Sequence, residues 1–480
     1  MNVVLVNPNL DLQKLPPKIN RYYPDQPIEP PLGILYLASF LLKNGIKTEV
    51  IDNALLKLNS EKLSELIVKK NPDLIGFSVH AFNWPTVLTN IHYLKKITKT
   101  PIVCGGPMCT IDPEIIIKHY EVDYLVIGEG EHTLLELINY LSSTKKESNV
   151  NLDSIKGLVF KYKNNIFINQ KRELIVDIDQ LPCPARQLIN LNSYQRDKTN
   201  FLKLKPVDVI FASRGCPYDC TYCANKIISK SCYRFRRTES ILTEINFLIE
   251  NYQTKSLRFA DAILTADRHK ITKLCQEMIN SKLNLPWQCH VHVNNLDNDL
   301  LRLMSNAGCR GIWFGIESIS QSLQKAIHKN IPVEKIREVV YLCKKYNIYT
   351  SASFMMGFPN ETKEEIQMNV QLAKKLNFNL TYFSPLVAMP NTDIYNTIKE
   401  KKLYDFEWNN LLLARNKNYS SDEIYNLAKF YNIYFKFRQL VFHISTAPSK
   451  DFFYAPIKFF NYLTFIFKYK ILKIYYIFKK

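Results

Sequence analysis

The sequence predicts an α/β chain. A doubly wound, Rossmann-like parallel sheet is expected in residues 1–141 and a partial (β/α)6 TIM-like barrel in 201–400, with a connector at 142–200 between them and a helical, basic-aromatic extension at 401–480 after them. Three observations carry this. Short apolar runs alternate with amphipathic helical patterns, once in 1–141 and again in 201–400. Turn clusters such as Gly105-Gly106-Pro107 and Gly128-Glu129-Gly130-Glu131 follow the apolar runs at their carboxyl ends. At 480 residues and 46% hydrophobic, the chain has room for two or three packed domains.

In the first region, Val3–Val6 reads as a buried strand rather than a signal peptide, because no basic segment precedes it. Pro31–Asn44 reads as a helix with Ile34, Leu35, Leu37, Ala38, Leu41 and Leu42 on its core face, ended by Gly45. Strands follow at Thr48–Ile51, Leu74–Ser78, Ile102–Cys104 and Tyr124–Ile127. Helices lie between them at Leu58–Lys70, with Ser60 as its N-cap, and at Thr86–Thr98, and a last one covers Thr133–Leu141. Ligands of such sheets bind at the strand carboxyl ends, here Asn7-Pro8, Asp52-Asn53, Ser78–Trp84, Gly105–Met108 and Gly128–Glu131.

In the connector, Leu158–Tyr162 and Ile166–Asn169 flank Asn164-Asn165 as a hairpin, and Leu181-Pro-Cys-Pro184 is a stiff crossing with Cys183 buried. Six strands then alternate with helices: Val207–Ala212, Ser256–Ala260, Trp287–Val293, Gly311–Gly315, Tyr349–Met356 and Leu380–Leu386. The helices between them are Thr238–Tyr252, His269–Lys282, Leu300–Ala307, Val333–Tyr346 and Lys363–Leu376.

The chemistry concentrates at the first of these strands. Arg214-Gly-Cys216-Pro-Tyr-Asp-Cys220-Thr-Tyr222-Cys223 places three cysteines in a C-x3-C-x2-C loop. Iron–sulfur cubanes usually take four thiolates, and Cys232 is nine residues on, so three ligands would leave one iron open to a chelating molecule. Structural zinc wants four ligands, often as two close pairs, and there is no second C-x2-C or any H-x3-H. Of the other cysteines, Cys104, Cys183, Cys275, Cys289, Cys309 and Cys343 sit in apolar surroundings and read as buried packing. Eleven cysteines without a paired framework fit a reducing cytoplasm. No G-x-S-x-G, P-loop or G-x-G-x-x-G is present.

At the cysteine loop the chain resembles the radical S-adenosylmethionine (SAM) enzymes, whose signature is C-x3-C-x-aromatic-C, with Tyr222 as the aromatic. The resemblance implies a [4Fe–4S] cluster on Cys216, Cys220 and Cys223, SAM on the open iron, and cleavage to a 5′-deoxyadenosyl radical that abstracts a hydrogen atom. It also implies a low-potential electron donor such as flavodoxin or ferredoxin. Glu317 in Gly-Ile-Glu-Ser resembles the family's G-x-E element beside SAM; a helix-dipole carboxylate is the other reading. Gly357-Phe-Pro-Asn-Glu361-Thr matches the family's Gly-x-Pro-x-Glu-Thr turn, with Glu361 either a cap or a ligand contact. Pro390-Asn391-Thr392 stands where the family often has Pro-Gly-Thr, and Asn tolerates the left-handed geometry. Asn294, or its neighbour Asn295, is a candidate for SAM ribose. Asp261 could face substrate, and His290 and His292, alternating on one strand, line the interior or pack in the core.

Pro31–Ala38, Gly105-Gly-Pro107, Pro113-Glu114 and Gly128–Glu131 together look like the cobalamin-binding domain that precedes many radical SAM domains. This implies cobalamin held near Asn7, Ser78, Gly105, Gly106, Gly128, Glu129 and Gly130. The chain departs from the family in having Met108 after Gly-Gly-Pro and no D-x-H-x-x-G, so any cobalt is expected without a protein His ligand. A domain that has lost its cofactor and only packs is the alternative.

The net charge of +19 is uneven: residues 1–140 carry −2 and residues 401–480 carry +9. Residues 450–480 hold 12 Phe or Tyr, seven Lys and one acid, with no uncharged stretch long enough to span a bilayer. That pattern suits a helix lying on an anionic membrane surface, or one docked on the barrel. No nucleic-acid-binding module accompanies it. The expected enzyme is therefore a cytoplasmic, cobalamin-dependent radical SAM protein, peripheral to the membrane if the tail binds it. It acts on an unactivated carbon of a small molecule or lipid, most simply by methylation. Rearrangement or cyclisation without methylation, and a non-catalytic iron–sulfur carrier, are the alternatives.

Overall fold

The computed structural model describes residues 1–20, 29–119, 121–143, 151–163, 165–194 and 204–446. The tail at 450–480 lies outside these. The chain divides into two compact units. The first holds Met1–Asp219, Cys223–Met278 and Pro390–Thr392. The second holds Cys220–Tyr222, Ile279–Met389 and the chain from Asp393 onward.

In the first unit, five strands are parallel: β1 (Asn2–Asn7), β2 (Lys47–Asp52), β3 (Leu74–Ser78), β4 (Ile102–Gly105) and β5 (Tyr124–Val126). Their order is β2-β1-β3-β4-β5, so the winding reverses between β1 and β3, where ligands of such sheets bind. The expected hairpin forms as β6 (Leu158–Tyr162) and β7 (Asn165–Ile168), and it adds to the same sheet antiparallel to β5, making seven strands.

Val3, Leu5, Leu74 and Val103 of the sheet pack against Ile34, Ala38 and Leu41 of helix Leu32–Lys43 and Leu137 and Ile138 of helix Gly130–Ser142. Each fully buried aliphatic side chain contributes about 1.5–3 kcal/mol. Within helix Leu32–Lys43, the expected Ile34, Leu35, Ala38 and Leu41 are buried, Tyr36 and Phe40 are buried as well, and Leu42 stays 37% exposed, so the buried surface is wider than the expected face. The helix expected from Leu58 is Ser60–Lys69, and its cap is Asn59, not Ser60: the Asn59 side-chain oxygen accepts the Lys62 N–H, while Ser60 is already helical.

The first unit also carries β8 (Val207–Ile210) paired in parallel with β11 (Ser256–Phe259), and β9 (Ser213–Gly215) antiparallel to β10 (Tyr233–Phe235). In the second unit, β12 (Trp287–Val291), β13 (Cys309–Glu317), β14 (Tyr349–Met356) and β15 (Leu380–Pro385) run parallel in the order β15-β14-β13-β12. Phe354 and Phe383 stack at 5.1 Å on one face of this sheet, and Phe383 stacks on Phe435 of helix Ser421–Thr446 at 5.6 Å. From that helix, Asn432 accepts the Phe383 N–H at 2.7 Å and donates to its carbonyl at 2.8 Å, which covers the sheet edge. The extension is helical over Ser421–Thr446 but begins with antiparallel strands at Tyr404–Trp408 and Leu411–Ala414. Cys104, Cys275, Cys289, Cys309 and Cys343 are buried as expected, whereas Cys183 is exposed.

Candidate functional site

A cavity of about 540 Å³ opens in the first unit. Ser78, Gly105, Gly106, Gly128, Glu129 and Gly130 line it from the carboxyl ends of the sheet strands. Phe211, Ser213, Arg214, Gly215, Asn225 and Arg234 line it from the segments that lead into and out of the cysteine loop. Asn7, expected with the first group, does not line it. Its amide donates to Asp52 Oδ1 at 2.8 Å, and Asp52 in turn caps the short helix that follows.

Glu129 is the electrostatic centre. Its Oε1 accepts from Arg214 at 3.1 Å; its Oε2 accepts from Arg234 at 2.8 Å and from the Ile175 N–H at 2.7 Å. Burial works to raise the Glu129 carboxyl, but the Arg234 hydrogen bond and the Arg214 charge outweigh it and hold the pKa below the usual range. Arg214 also donates to Glu131 at 2.7 Å and lies 5.3 Å over the Tyr36 ring. Asp261, on the cavity wall, accepts from the Ala212 N–H at 3.2 Å, from the Ser213 N–H, and from Ser213 Oγ at 2.5 Å. Complete burial pushes its pKa up to about 6 against those hydrogen bonds. Asp261 therefore clamps the strand that delivers the cysteine loop.

The loop turns at Gly215, whose φ of +87° favours glycine and where a Cβ would collide with the Cys232 carbonyl. Cys220 is buried; Cys216 and Cys223 are partly buried. Among the described residues, no three of His, Cys, Asp and Glu converge as they would around one metal ion. A cubane asks for something else, one thiolate on each of three irons, and three thiols on one loop are that donor set.

In the second unit the loop residues Cys220–Tyr222 are held from both sides. The Thr221 N–H donates to the Ile327 carbonyl at 3.3 Å, and the Thr221 carbonyl accepts from the Ile394 N–H at 3.0 Å. The Tyr222 hydroxyl lies 3.3 Å from Glu317 Oε1, and its ring packs edge-on against Phe358 at 6.3 Å. Glu317 closes β13 after a register shift, with φ at +63°, a conformation rare for a side chain of its kind.

The other candidates have partners of their own. Asn294 Nδ2 donates to the Asn330 carbonyl at 3.0 Å. His290 lies on β12, 6.0 Å edge-on from Trp313, and His292 follows its end at Val291 with the backbone still extended. His292 instead caps the turn Val293–Asn295 through Nδ1, and burial, aided by the Lys329 charge, pushes its pKa down to about 4. Gly357 donates its N–H to Glu361 Oε2 at 2.6 Å, so Glu361 braces its own turn, while Thr362 and Glu365 form the capping box of the next helix. Pro390 opens a turn in which Asn391 takes the left-handed conformation and donates to the Ile111 carbonyl at 2.7 Å.

Sequence reasoning assigned no role to Arg214, Arg234 or Lys329. A signal existed for two of them: Arg214 immediately precedes the Gly-Cys turn, and Arg234 alternates with Tyr233 and Phe235 in a strand-like run.

The cavity suits a large, amide-rich group. Gly33 and Gly128 both line it, and a Cβ at either would meet nothing within 4 Å. Arg234, with 9% of its side chain exposed, has a buried Nε–H with no acceptor among the described residues. A corrin bears many carbonyl acceptors, so these residues fit it.

Comparison with known proteins agrees. Residues 26–138 match the B12 binding domain, and residues 210–373 match the radical SAM superfamily. An uncharacterized methyltransferase of Pyrococcus horikoshii is 27% identical over 407 residues, covering 83% of this chain and 86% of that protein. An anaerobic magnesium-protoporphyrin IX monomethyl ester cyclase of Rubrivivax gelatinosus is 24% identical over 385 residues, covering 79% and 68%. Among solved structures, the radical SAM methyltransferase TsrM from Kitasatospora setae, with cobalamin and a [4Fe–4S] cluster bound, matches with a TM-score of 0.69 at 20% identity, over 83% of this chain and 75% of that one. This last likeness is one of fold, a Rossmann-like sheet followed by a radical SAM barrel.

Proposed function

Given that the chain belongs to the radical SAM enzymes that carry a B12-binding domain, with a [4Fe–4S] cluster, SAM and cobalamin as their cofactors, we propose that it methylates an unactivated carbon of a small-molecule substrate. One observation carries the reading: a single cavity is lined both by the strand ends of the B12-binding domain and by the residues flanking the cysteine loop. When bound, the cofactors supply a carbon radical and a transferable methyl group, and the protein supplies placement.

Cys216, Cys220 and Cys223 hold the cluster in this reading. Tyr222, Glu317, Asn294, Gly357 and Pro390 belong to the SAM side, and Ser78, Gly105, Gly106, Gly128, Glu129 and Gly130 to the corrin side. Arg214 and Arg234 fix Glu129 at the cavity wall, and Asp261 fixes the strand entering the loop. Reduction of the cluster calls on a donor such as flavodoxin or ferredoxin.

The likeness to a cyclase supports a second reading, radical cyclisation without methyl transfer. Product analysis separates the two. Methylation gives both 5′-deoxyadenosine, from hydrogen abstraction, and S-adenosylhomocysteine, from methyl donation; cyclisation gives 5′-deoxyadenosine alone. Release of neither by the anaerobically reconstituted protein with reductant would sink both readings and favour an iron–sulfur carrier.

No helix among the described residues is long and apolar enough to cross a membrane. The basic-aromatic stretch 450–480 supports a peripheral contact with an anionic leaflet and, through it, a lipid substrate.

A further inference from the structure

The end of β13 carries a compact polar knot that the cysteine signature alone does not account for. Lys329 Nζ lies 3.1 Å from Glu317 Oε1 and 3.0 Å from the Tyr222 hydroxyl, and 5.7 Å from the Tyr222 ring centre. Both charged side chains are only 9% exposed. Gly315 makes the space: a Cβ there would collide with Glu317 Oε1 and stand 2.7 Å from Lys329 Nζ.

The segment that brings Lys329 also holds the loop. Lys329 follows helix Gln321–Ala326, and the Ile327 carbonyl just before it accepts the Thr221 N–H. A buried carboxylate with a strained backbone needs a partner to keep its charge and its place. Lys329 gives Glu317 that partner and joins it to Tyr222 of the cysteine loop by the same ammonium group.

We propose that Lys329 is a positioning residue: it locks Glu317 and Tyr222 into one arrangement, so that the SAM-binding end of β13 and the middle of the cysteine loop are set together. The inference rests on the SAM reading above, but its physical core is the loop restraint, which exists without any cofactor.

Two measurements test it. In cofactor-free protein, hydrogen exchange of the peptide containing Thr221 should quicken at least tenfold in Lys329→Met, while that of β1 is unchanged and Lys329→Arg stays near wild type. In reconstituted protein, Lys329→Met should keep its iron yet raise the KM for SAM by about ten- to a hundredfold, with a smaller change in kcat, as expected when a fixed group is released.

Gly315→Ala gives an independent route. Its Cβ displaces the flexible tips of Glu317 and Lys329 without removing a charge, so it should loosen the same peptide and weaken SAM binding. If Lys329→Met unfolds throughout, Gly315→Ala decides. Wild-type exchange at Thr221 together with a wild-type KM for SAM in the folded variant would overturn the proposal. If wild-type protein fails to bind SAM, the enzyme reading falls while the exchange result still judges the knot.

Discussion

Arg186 and Glu244 form an ion pair at 2.6 Å with 1% of each side chain exposed. The pair has further partners: Arg186 also donates to the Val209 carbonyl at 2.9 Å, and the second Glu244 oxygen accepts from Arg236 at 2.5 Å. Through it, the extended connector, helix Thr238–Tyr252 and strand β8 become one piece within the first unit.

Replacing Glu244 by Gln leaves two buried guanidinium groups sharing one neutral amide. We expect a loss of about 3–5 kcal/mol, the usual effect of removing one partner from a buried charge set. A fall in the urea midpoint measures it, and an unchanged midpoint would show that water reaches these arginines.

Gly33→Leu fills the cavity from helix Leu32–Lys43 without meeting another atom near its Cβ. Cobalamin affinity should drop at least tenfold, while stability holds or rises by up to about 1 kcal/mol, because leucine is the better helix former. Equilibrium dialysis reads the first and thermal melting the second; undiminished binding would place the corrin elsewhere. In wild-type protein the Co(II) spectrum should lack nitrogen superhyperfine splitting from a protein imidazole, since no His among the described residues lines the cavity.

Alanine at Cys216, Cys220 or Cys223 removes one of three cluster ligands. Each variant should lose the absorbance at ~400 nm after anaerobic reconstitution. Retention of full iron content in all three would remove the basis of the radical chemistry.

Burial pushes the Glu361 carboxyl up to about 8 against the hydrogen bonds from Gly357 and Phe358. The folded chain then binds a proton that the unfolded chain has released, so between about pH 4.5 and 8 stability falls as pH rises. Its contribution is full below that window and lost above it. Glu361→Gln should flatten the pH dependence of the melting midpoint across the window, and an equally steep dependence in the variant would assign the slope to other groups.

Residues 450–480 should bind anionic liposomes, with affinity falling as salt rises, since each Lys near a charged leaflet contributes about 1 kcal/mol. A chain ending at Lys450 should stay soluble and still cleave SAM. Aggregation of that shorter chain, with no liposome binding by the full one at low salt, would make the tail a packing helix.

Local order was readable from the chain. The bounds of Tyr349–Met356, Thr238–Tyr252 and Lys363–Leu376 match the expected ones residue for residue. Periodicity, caps and turn residues act over a few neighbours, and sequence displays neighbours directly. The spacing of Cys216, Cys220 and Cys223 is likewise a local fact, and so is the ability of Asn391 to take the left-handed turn. Six of the seven expected corrin-side residues line the cavity for a related reason: the ends of parallel strands all face one edge of a doubly wound sheet.

Tertiary structure alone decided the partnerships. Glu129 meets Arg214 and Arg234 from 85 and 105 residues away, and Tyr222 meets Lys329 from 107. Such pairs depend on how elements stack, and many stackings satisfy one hydrophobic pattern. The same holds for the added burial of Tyr36 and Phe40 on helix Leu32–Lys43, the exposure of Cys183 and the hairpin that extends the first sheet. A one-dimensional pattern specifies that a face is apolar. The depth at which it is buried, and the charge it meets there, follow from close packing in three dimensions.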